Sequence, residues 1–442
     1  MTTVEDPAPV APIADHVADT APVRSRAYVV YATFILGLIY ALGSTDSSIM
    51  SILLVPIQKE LKVSDLAMGT LAGAAFTAVQ VIIAVPVARL ADRSNRRNII
   101  AIAVTVWSLF TGACGLATSY ATLLAARIGV AVGEAGHGSS ILSTIGDLYP
   151  RHRRGLAYGV ISIGISIGTG VGASLVGWIG QHYGWRAAFQ MMTVPGLVIG
   201  AIVFFTLKEP ARGAFEGGAT QDAPLSIPAV VKYVFSVPTL RRLVVANIVM
   251  QGATSAYLVW MPAFLVRVHH LSIVQMSAGF GLTLTLGAST AHVLAGWITD
   301  RMAKQGERWR LYYCCMALVV GLPFVVAAML VSNTPLTFLL MFLWVLCSGG
   351  VSASATVAVL GVVKPQLRGR SSAVLGVCTA VVGMALGPSL FGAITDALKH
   401  SYGDYAVRYS LLGVPALWLL AGALFVRAGR TADRDWRIAV GG

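Results

Sequence analysis

Charge is scarce in this chain. Only 12% of its 442 residues are Asp, Glu, Lys or Arg, against roughly 25% in a soluble globular protein. With 56% hydrophobic residues, a fold in water would have to leave much of that apolar surface exposed, so the soluble classes are excluded. Cysteine is scarce as well. Cys114, Cys314, Cys315, Cys347 and Cys378 all fall in apolar runs without metal-ligand spacing, so they read as small buried hydrophobes. No nucleophile–base set, metal cluster or phosphate-cradling loop stands out, and neither an enzyme nor a cofactor nor a metal is expected. The fragment Gly168-x-Gly170-x-x-Ala173 imitates a dinucleotide fingerprint, but it follows no strand and lies in an apolar run.

What the chain does have is long apolar runs, many beyond the 18 or so residues that mark a membrane-spanning helix. They predict twelve spans, near 28–52, 66–90, 98–119, 121–148, 154–181, 187–207, 242–266, 276–299, 310–331, 335–363, 370–398 and 406–427. Helices satisfy their own backbone groups in lipid, so the expected fold is all-α and polytopic. The Ala- and Pro-rich residues 1–27 read as a disordered cytoplasmic tail and 429–442 as a second tail. The polar stretch 208–240 reads as a linker between an N-terminal bundle (28–207) and a C-terminal bundle (241–428).

The net charge of +13 suggests nucleic acid until the charges are placed. With the N-terminus in the cytoplasm, 25 of the 32 Lys and Arg residues fall on the cytoplasmic side, while Lys59, Lys62, Arg186, Arg267, Lys399 and Arg408 fall outside. That is the positive-inside bias with both termini inside. The basic balance therefore reports topology and contact with anionic lipid headgroups, not nucleic acid.

Three ionisable residues lie well inside spans: Asp46, Arg127 and Glu134. A charge at the bilayer centre costs at least about 2.5–3.5 kcal/mol, so each needs a partner or a wet cavity. At roughly 1.5 Å per residue, Asp46 and Arg127 sit about 9 and 10 Å below the same face. An Asp46–Arg127 pair follows, either as part of a mechanism or as a static brace. Glu134 lies two turns beyond Arg127 on the same face and nearer the membrane middle. It is the candidate proton carrier, with Asp46 as a second proton site and Arg127 tuning both or meeting an anionic substrate. Substrate hydrogen bonding and simple packing remain open for Glu134. His137, one turn further on, is a candidate for the same cavity. In the second half, Gln251, Thr254 and Tyr257 share a helical face. His292 is a proton relay or a packing residue, and Trp344 with Phe342 lines an apolar cavity or faces lipid or core. Gly164, Gly168 and Gly172, spaced by four, offer a smooth face for close helix approach.

A charged hinge follows the second span, Leu90-Ala-Asp92-Arg93-Ser-Asn-Arg96-Arg97, and returns in part as Asp300-Arg301. Such an echo marks two related six-helix units. The hinge resembles the Gly-x-Leu-x-Asp-Arg-x-Gly-Arg-Arg signature of the major facilitator superfamily, with Ala88 and Asn95 where the family has glycine. Within that superfamily the chain is similar to the spinster branch and its bacterial relatives. The similarity rests on Arg127-Ile-Gly-Val-Ala-Val-Gly133-Glu134-Ala135, Asp147-Leu-Tyr-Pro150-Arg-His-Arg-Arg-Gly155, Gly184-Trp185-Arg186-Ala-Ala-Phe189 and Trp260-Met-Pro262-Ala-Phe-Leu-Val-Arg267. Spinster proteins carry Asp-Arg in the first span, whereas Asp46 is followed here by Ser47. Thr169 replaces the proline of the superfamily's antiporter motif.

The resemblance implies the major facilitator fold, twelve helices in two bundles of six. It implies a cytoplasmic gate of Asp92, Arg93, Arg96, Arg97 and Asp147, mirrored by Asp300 and Arg301, where the residues alone also allow topological anchoring. It further implies proton-coupled alternating access with export of amphipathic lysolipids of the sphingosine 1-phosphate or lysophospholipid type. The expected setting is the bacterial inner membrane, with a monomer as the working unit. Transport of small organic anions or drugs is the alternative, and a non-transporting receptor or scaffold is disfavoured by the buried charges.

Overall fold

The computed structural model describes residues 25–150, 153–210, 227–364 and 367–440. The first twenty-four residues, assigned above to a tail, lie outside it. Twelve long helices run in order: α1 (Arg26–Ile52), α2 (65–93), α3 (Arg96–Cys114), α4 in two pieces (Tyr120–Glu134 and His137–Leu148), α5 (Arg154–Tyr183), α6 (Trp185–Thr206), α7 (Pro238–Val268), α8 (Ile273–Ala303), α9 (Glu307–Leu330), α10 in two pieces (Thr334–Ser348 and Val351–Val362), α11 (368–402) and α12 (Val414–Val440). Ten stretches are long and apolar enough to cross a membrane, one of which contains both α11 and α12. The remaining span, α4, is broken at Ala135-Gly136 into pieces of 15 and 12 residues. This is an integral membrane protein, and its outer surface agrees: Ile82, Ile102, Val194, Phe205 and Val293 are all exposed, which lipid tolerates and water does not.

Side chains set the helix starts. Ser25, Asn95 and Asn333 each accept a backbone N–H of the first turn. Ser119 with Thr122 and Ser272 with Gln275 close reciprocal caps. Prolines 86, 195, 262, 323 and 388 sit inside helices, as spans permit when neighbours re-satisfy the freed carbonyl.

In the first bundle α3 packs on α4 and α6, and α1 on α5; in the second α7 packs on α11 and α12, α9 on α10 and α12, and α8 on α10. The glycine face of α5 works as its spacing predicts. A Cβ on Gly168 would lie 2.0 Å from the Ala41 carbonyl oxygen of α1, and one on Gly164 2.2 Å from that of Gly37. The bundles meet along two seams, α2 on α11 and α5 on α8. Three of these four seam helices contain a wide π-type turn, at Thr70–Ala74, Gly168–Gly172 and Thr379–Met384, a feature frequent at functional positions.

Two expectations need correcting. Residues 429–440 are not a free tail: α12 continues to Val440. Asp435, buried there, accepts the backbone N–H (3.2 Å) and the hydroxyl (2.7 Å) of Thr239 at the start of α7. The linker is also structured at its end. Ile227–Ser236 forms a helix packed on α7 and α11 with Val230 and Val234 buried, because its apolar positions recur at a helical interval.

Candidate functional site

The three intramembrane charges converge. Arg127 Nη1 donates to Asp46 Oδ2 at 3.1 Å, and Thr111 donates to Asp46 Oδ1 at 2.7 Å. Arg127 is 1% exposed and its guanidinium lies 4.5 Å from the centroid of the Phe76 ring, a cation–π contact that helps to replace lost hydration. Its Nε has no hydrogen-bond partner.

Glu134 ends the first piece of α4, directly before the break. Gln80 of α2 donates to Glu134 Oε2 at 3.2 Å, while Oε1 is buried with no partner. Asp46 and Arg127 are both within electrostatic reach. His137 opens the second piece of α4. Its Nδ1 donates to the Glu134 carbonyl at 2.6 Å, since a carbonyl can only accept. Edge contacts with Tyr40 and Trp107 hold the ring.

Glu134 and His137 face a cavity of about 400 Å³ between the bundles, lined on the first-bundle side by Ser44, Ser47, Ser48 and Ser51 of α1 together with Gln80. Leu258, Val259, Phe280 and Leu284 line the opposite side. The cavity lining contains no Lys or Arg, and Arg127 and Asp46 are not part of it. A smaller cavity of about 130 Å³ shares Leu258 and Leu284 with the first and is lined by Thr254, Tyr257, Trp344 and Trp418. The Trp344 and Trp418 rings are 4.0 Å apart, and Trp418 Nε1 donates to Thr254 at 3.3 Å. The Tyr257 hydroxyl is buried without a partner.

Other candidates are less engaged. Gln251 accepts from Ser352 at 3.2 Å and lines neither cavity. His292 is exposed on α8, bonded to the Ala288 carbonyl at 2.6 Å, and likewise lines neither.

At the arginine-rich end, Arg96 is the hub. It donates to Asp147 (2.5 Å) and Ser143 (2.8 Å) of α4 and to Glu209 (2.7 Å). Glu209 also takes the Arg97 backbone N–H at 3.1 Å. Arg93 is exposed, and the Asp92 side chain lies outside the described residues. Asp300 pairs with Arg310 at 3.5 Å, and Arg301 stacks 3.5 Å from the centroid of Trp297. None of these ion pairs joins one bundle to the other.

Thr285 of α8 donates to the Ser166 carbonyl of α5 at 3.1 Å at mid-span; the cross-bundle bonds made by charged groups gather at the opposite end, in residues that the sequence did not mark as a site. Arg267 of α7 donates to both Asp65 oxygens (2.6 and 3.2 Å) and to Gln58 (2.6 Å). Asp396 of α11 accepts the backbone N–H groups of Asp65 (2.9 Å) and Leu66 (2.8 Å), capping α2 from the other bundle. A Cβ on Gly69 would lie 2.3 Å from the Pro388 carbonyl oxygen, so backbones touch directly here. Gln181 of α5 accepts the Val274 N–H of α8 at 2.9 Å.

Comparison with known proteins accords with this architecture. The Major Facilitator Superfamily profile matches residues 36–388. The chain belongs to the Major Facilitator Superfamily. It is a transporter and not an enzyme. Among members of the superfamily, it is 28% identical over 417 residues to an MFS-type efflux pump of Mycolicibacterium smegmatis, covering 93% of this chain and 94% of the pump. It is 27% identical over 412 residues to the sphingosine-1-phosphate transporter SPNS2 of Danio rerio, covering 84% and 78%. Its fold matches a bacterial homologue of the human lysosomal transporter Spinster, solved inward-facing and unoccupied, with a TM-score of 0.83 at 23% identity over 93% of this chain and 99% of that one.

Proposed function

We propose that this chain is a proton-coupled exporter of amphipathic lysolipids, working by alternating access as a monomer in the bacterial inner membrane with both termini in the cytoplasm. One observation carries the reading: two cavities share a wall, the first with its ionisable and hydroxyl groups gathered on one side and the second with its aromatic rings. The first offers Glu134, His137, Gln80 and a row of serines to a polar head. Beyond Leu258 and Leu284, the second offers Trp344, Trp418 and Tyr257 to an apolar tail. A molecule with one polar and one apolar end fits that arrangement better than a uniformly polar solute does.

Glu134 is the proposed proton carrier. It is the carboxylate of the first cavity, its hydrogen-bond partner is a neutral amide, and one of its oxygens is unpartnered. The Asp46–Arg127 pair behind it is the charge that senses its protonation state. Arg127 is turned to Asp46, away from the cavity, so a substrate phosphate would meet the α1 serines, and a substrate ammonium would meet Glu134. Sphingosine 1-phosphate and the lysophospholipids with choline or ethanolamine headgroups carry both groups. With the arginine-rich end cytoplasmic, the Asp65 end is the closed outer gate. The proposed inner gate is the Arg96–Asp147–Glu209 cluster with Asp92, Arg93, Arg97, Asp300 and Arg301.

Reconstitution in liposomes holding a pH dye, with lysophospholipids of increasing chain length, tests this reading. Proton flux that grows with chain length and disappears in Glu134→Gln is expected. Flux driven instead by short organic anions or drugs, independent of any tail, would replace the lipid reading with the second one, which the similarity to an efflux pump favours. Undiminished flux in Glu134→Gln would remove that residue from the coupling.

A further inference from the structure

A cavity of about 430 Å³ at the Asp65 end, remote from Glu134, is lined by Lys59, Lys62, Arg267, His270 and Lys399 against a single carboxylate, Asp404. Lys59 and Lys62 come from the first bundle, and the other three bases come from the second. Arg267 is already neutralised by Asp65, and Lys399 Nζ lies 3.9 Å from the same carboxylate. Lys59, Lys62 and His270 are exposed and show no ion pair among the described residues. Several like charges around one concavity repel each other and focus a positive potential into it.

A second, independent feature marks the same place. Among the described residues, two that are not glycine have positive φ, Lys62 at 51° and His270 at 55°. Both line this cavity. They hold equivalent places in the two halves, one in the α1–α2 connection and one in the α7–α8 connection. Each closes a helix C-terminus in the left-handed conformation, Lys62 after Leu54–Leu61 and His270 just beyond α7, and that shared geometry brings one base from each half to the same cavity.

We propose that this cavity binds a phosphate-type oxyanion that bridges the two bundles. Tetrahedral phosphate accepts several N–H donors at once from different directions, which suits amines arriving from separate elements. The donors come from both bundles, so the site is complete only while the Asp65 end is closed. A ligand that prefers one state shifts the population toward it, and the anion therefore holds this end shut. The oxyanion can be a soluble phosphate or the headgroup of an anionic lipid at the rim.

The thermal unfolding of the full chain in neutral detergent tests the proposal, with inorganic phosphate titrated against chloride at matched ionic strength. The comparison protein is the double variant Lys59→Gln, Lys62→Asn, in which Asn keeps a residue suited to the left-handed backbone. The wild type should show a saturable rise in unfolding temperature with phosphate but not with chloride. In the variant the apparent affinity should weaken by about tenfold, as expected for two lost charge contacts. Without anion the variant should unfold at the same temperature or higher, because repulsion has been removed. That result guards against misreading a folding defect. A second arm uses nanodiscs free of soluble phosphate. A rise with phosphatidylglycerol over phosphatidylcholine that the variant lacks would assign the headgroup as the source, whereas a response to inorganic phosphate alone would assign the soluble ion. An equal rise in wild type and variant, an equal rise with chloride, or no rise in either arm would overturn the site.

Discussion

Replacing Arg267 with Gln should open the Asp65 end of the transporter. The guanidinium makes both side-chain ion-pair contacts with Asp65 across the bundle seam, at 2.6 and 3.2 Å, and Asp65 is fully buried. Removing one partner of a buried pair costs about 3–5 kcal/mol, chiefly because the other charge is stranded. Gln58 still donates to Asp65 at 2.8 Å and Lys399 Nζ stays 3.9 Å away, so the lower end, about 3 kcal/mol, applies. At about 1.4 kcal/mol per factor of ten, the closed state should lose roughly 100-fold in its equilibrium with the open state. Opening is the cheaper response than unfolding because it returns Asp65 to water. Spin labels at Thr118 and Ser401, exposed positions on opposite bundles at this end, on a background without the five native cysteines, report the change as a long-distance population in pulsed dipolar spectroscopy. The double variant Asp65→Asn, Arg267→Gln strands no charge and should recover much of the closed population. An unchanged distance distribution in Arg267→Gln, or no recovery in the double variant, would refute the assignment of this pair as the latch.

Asp46→Asn should lower stability by about 3 kcal/mol, the lower end for a broken buried pair, since it leaves the buried Arg127 with an aromatic ring and the nearby Glu134 carboxyl; adding Arg127→Gln should restore most of the loss, measured as unfolding temperature in the same detergent. Glu60, on the helix Leu54–Leu61, is held below the usual carboxylate range by the hydrogen bonds from Trp185 and Arg186. Its folded-state preference is for the ionised form, so its contribution is complete above the ordinary carboxylate range and is lost as pH falls through the lowered value. The difference in unfolding temperature between wild type and Glu60→Gln should therefore be small but largest near neutrality and should shrink once the pH falls below the ordinary carboxylate range, small because the group is half exposed.

The pair between α1 and α4 was readable from sequence because a charge inside an apolar run has few places to hide, and helical rise alone set Asp46 and Arg127 at matching depths. The glycine face of α5 was readable for a similar reason: its spacing has one structural use. The Asp65–Arg267 latch was not, because both residues lie at span ends, where charge is cheap, and 202 residues separate them. Gln80 offered a signal, a lone amide within an apolar span, and Trp418 offered none, since an aromatic in a membrane helix packs equally well against lipid or protein. The expected gate named Arg96 and Asp147, which do pair, yet Glu209, on the polar stretch read as linker, supplies the carboxylate that joins Asp147 on Arg96. The helical run from 429 to 440 was hidden by its charge. Arg430, Arg434 and Arg437 read as a soluble tail, while Asp435, buried along with Ala432 and Ala439, is what docks it.

The two halves also share a break that explains where the chemistry lies. α4 stops at Glu134 and resumes at His137; α10 stops at Ser348 and resumes at Val351. Each break spans two residues, Ala135-Gly136 and Gly349-Gly350. Aligned on that break, Glu134 corresponds to Ser348, Arg127 to Met341 and His137 to Val351. One duplicated frame thus carries its ionisable groups in the first half and neutral or apolar side chains at the same places in the second. A buried charge costs free energy wherever it sits, so a frame that needs one proton site gains nothing by keeping two. Of those three positions in the second half, Ser348 lines the second cavity, beside Trp344 and Trp418. The prediction that follows is directional: Ser348→Glu, which restores the symmetric carboxyl, should impair handling of long-chain lysolipids more than that of short-chain ones, because it places a polar group against the tail. Equal loss for all chain lengths in the liposome flux assay would break the division of labour between the halves.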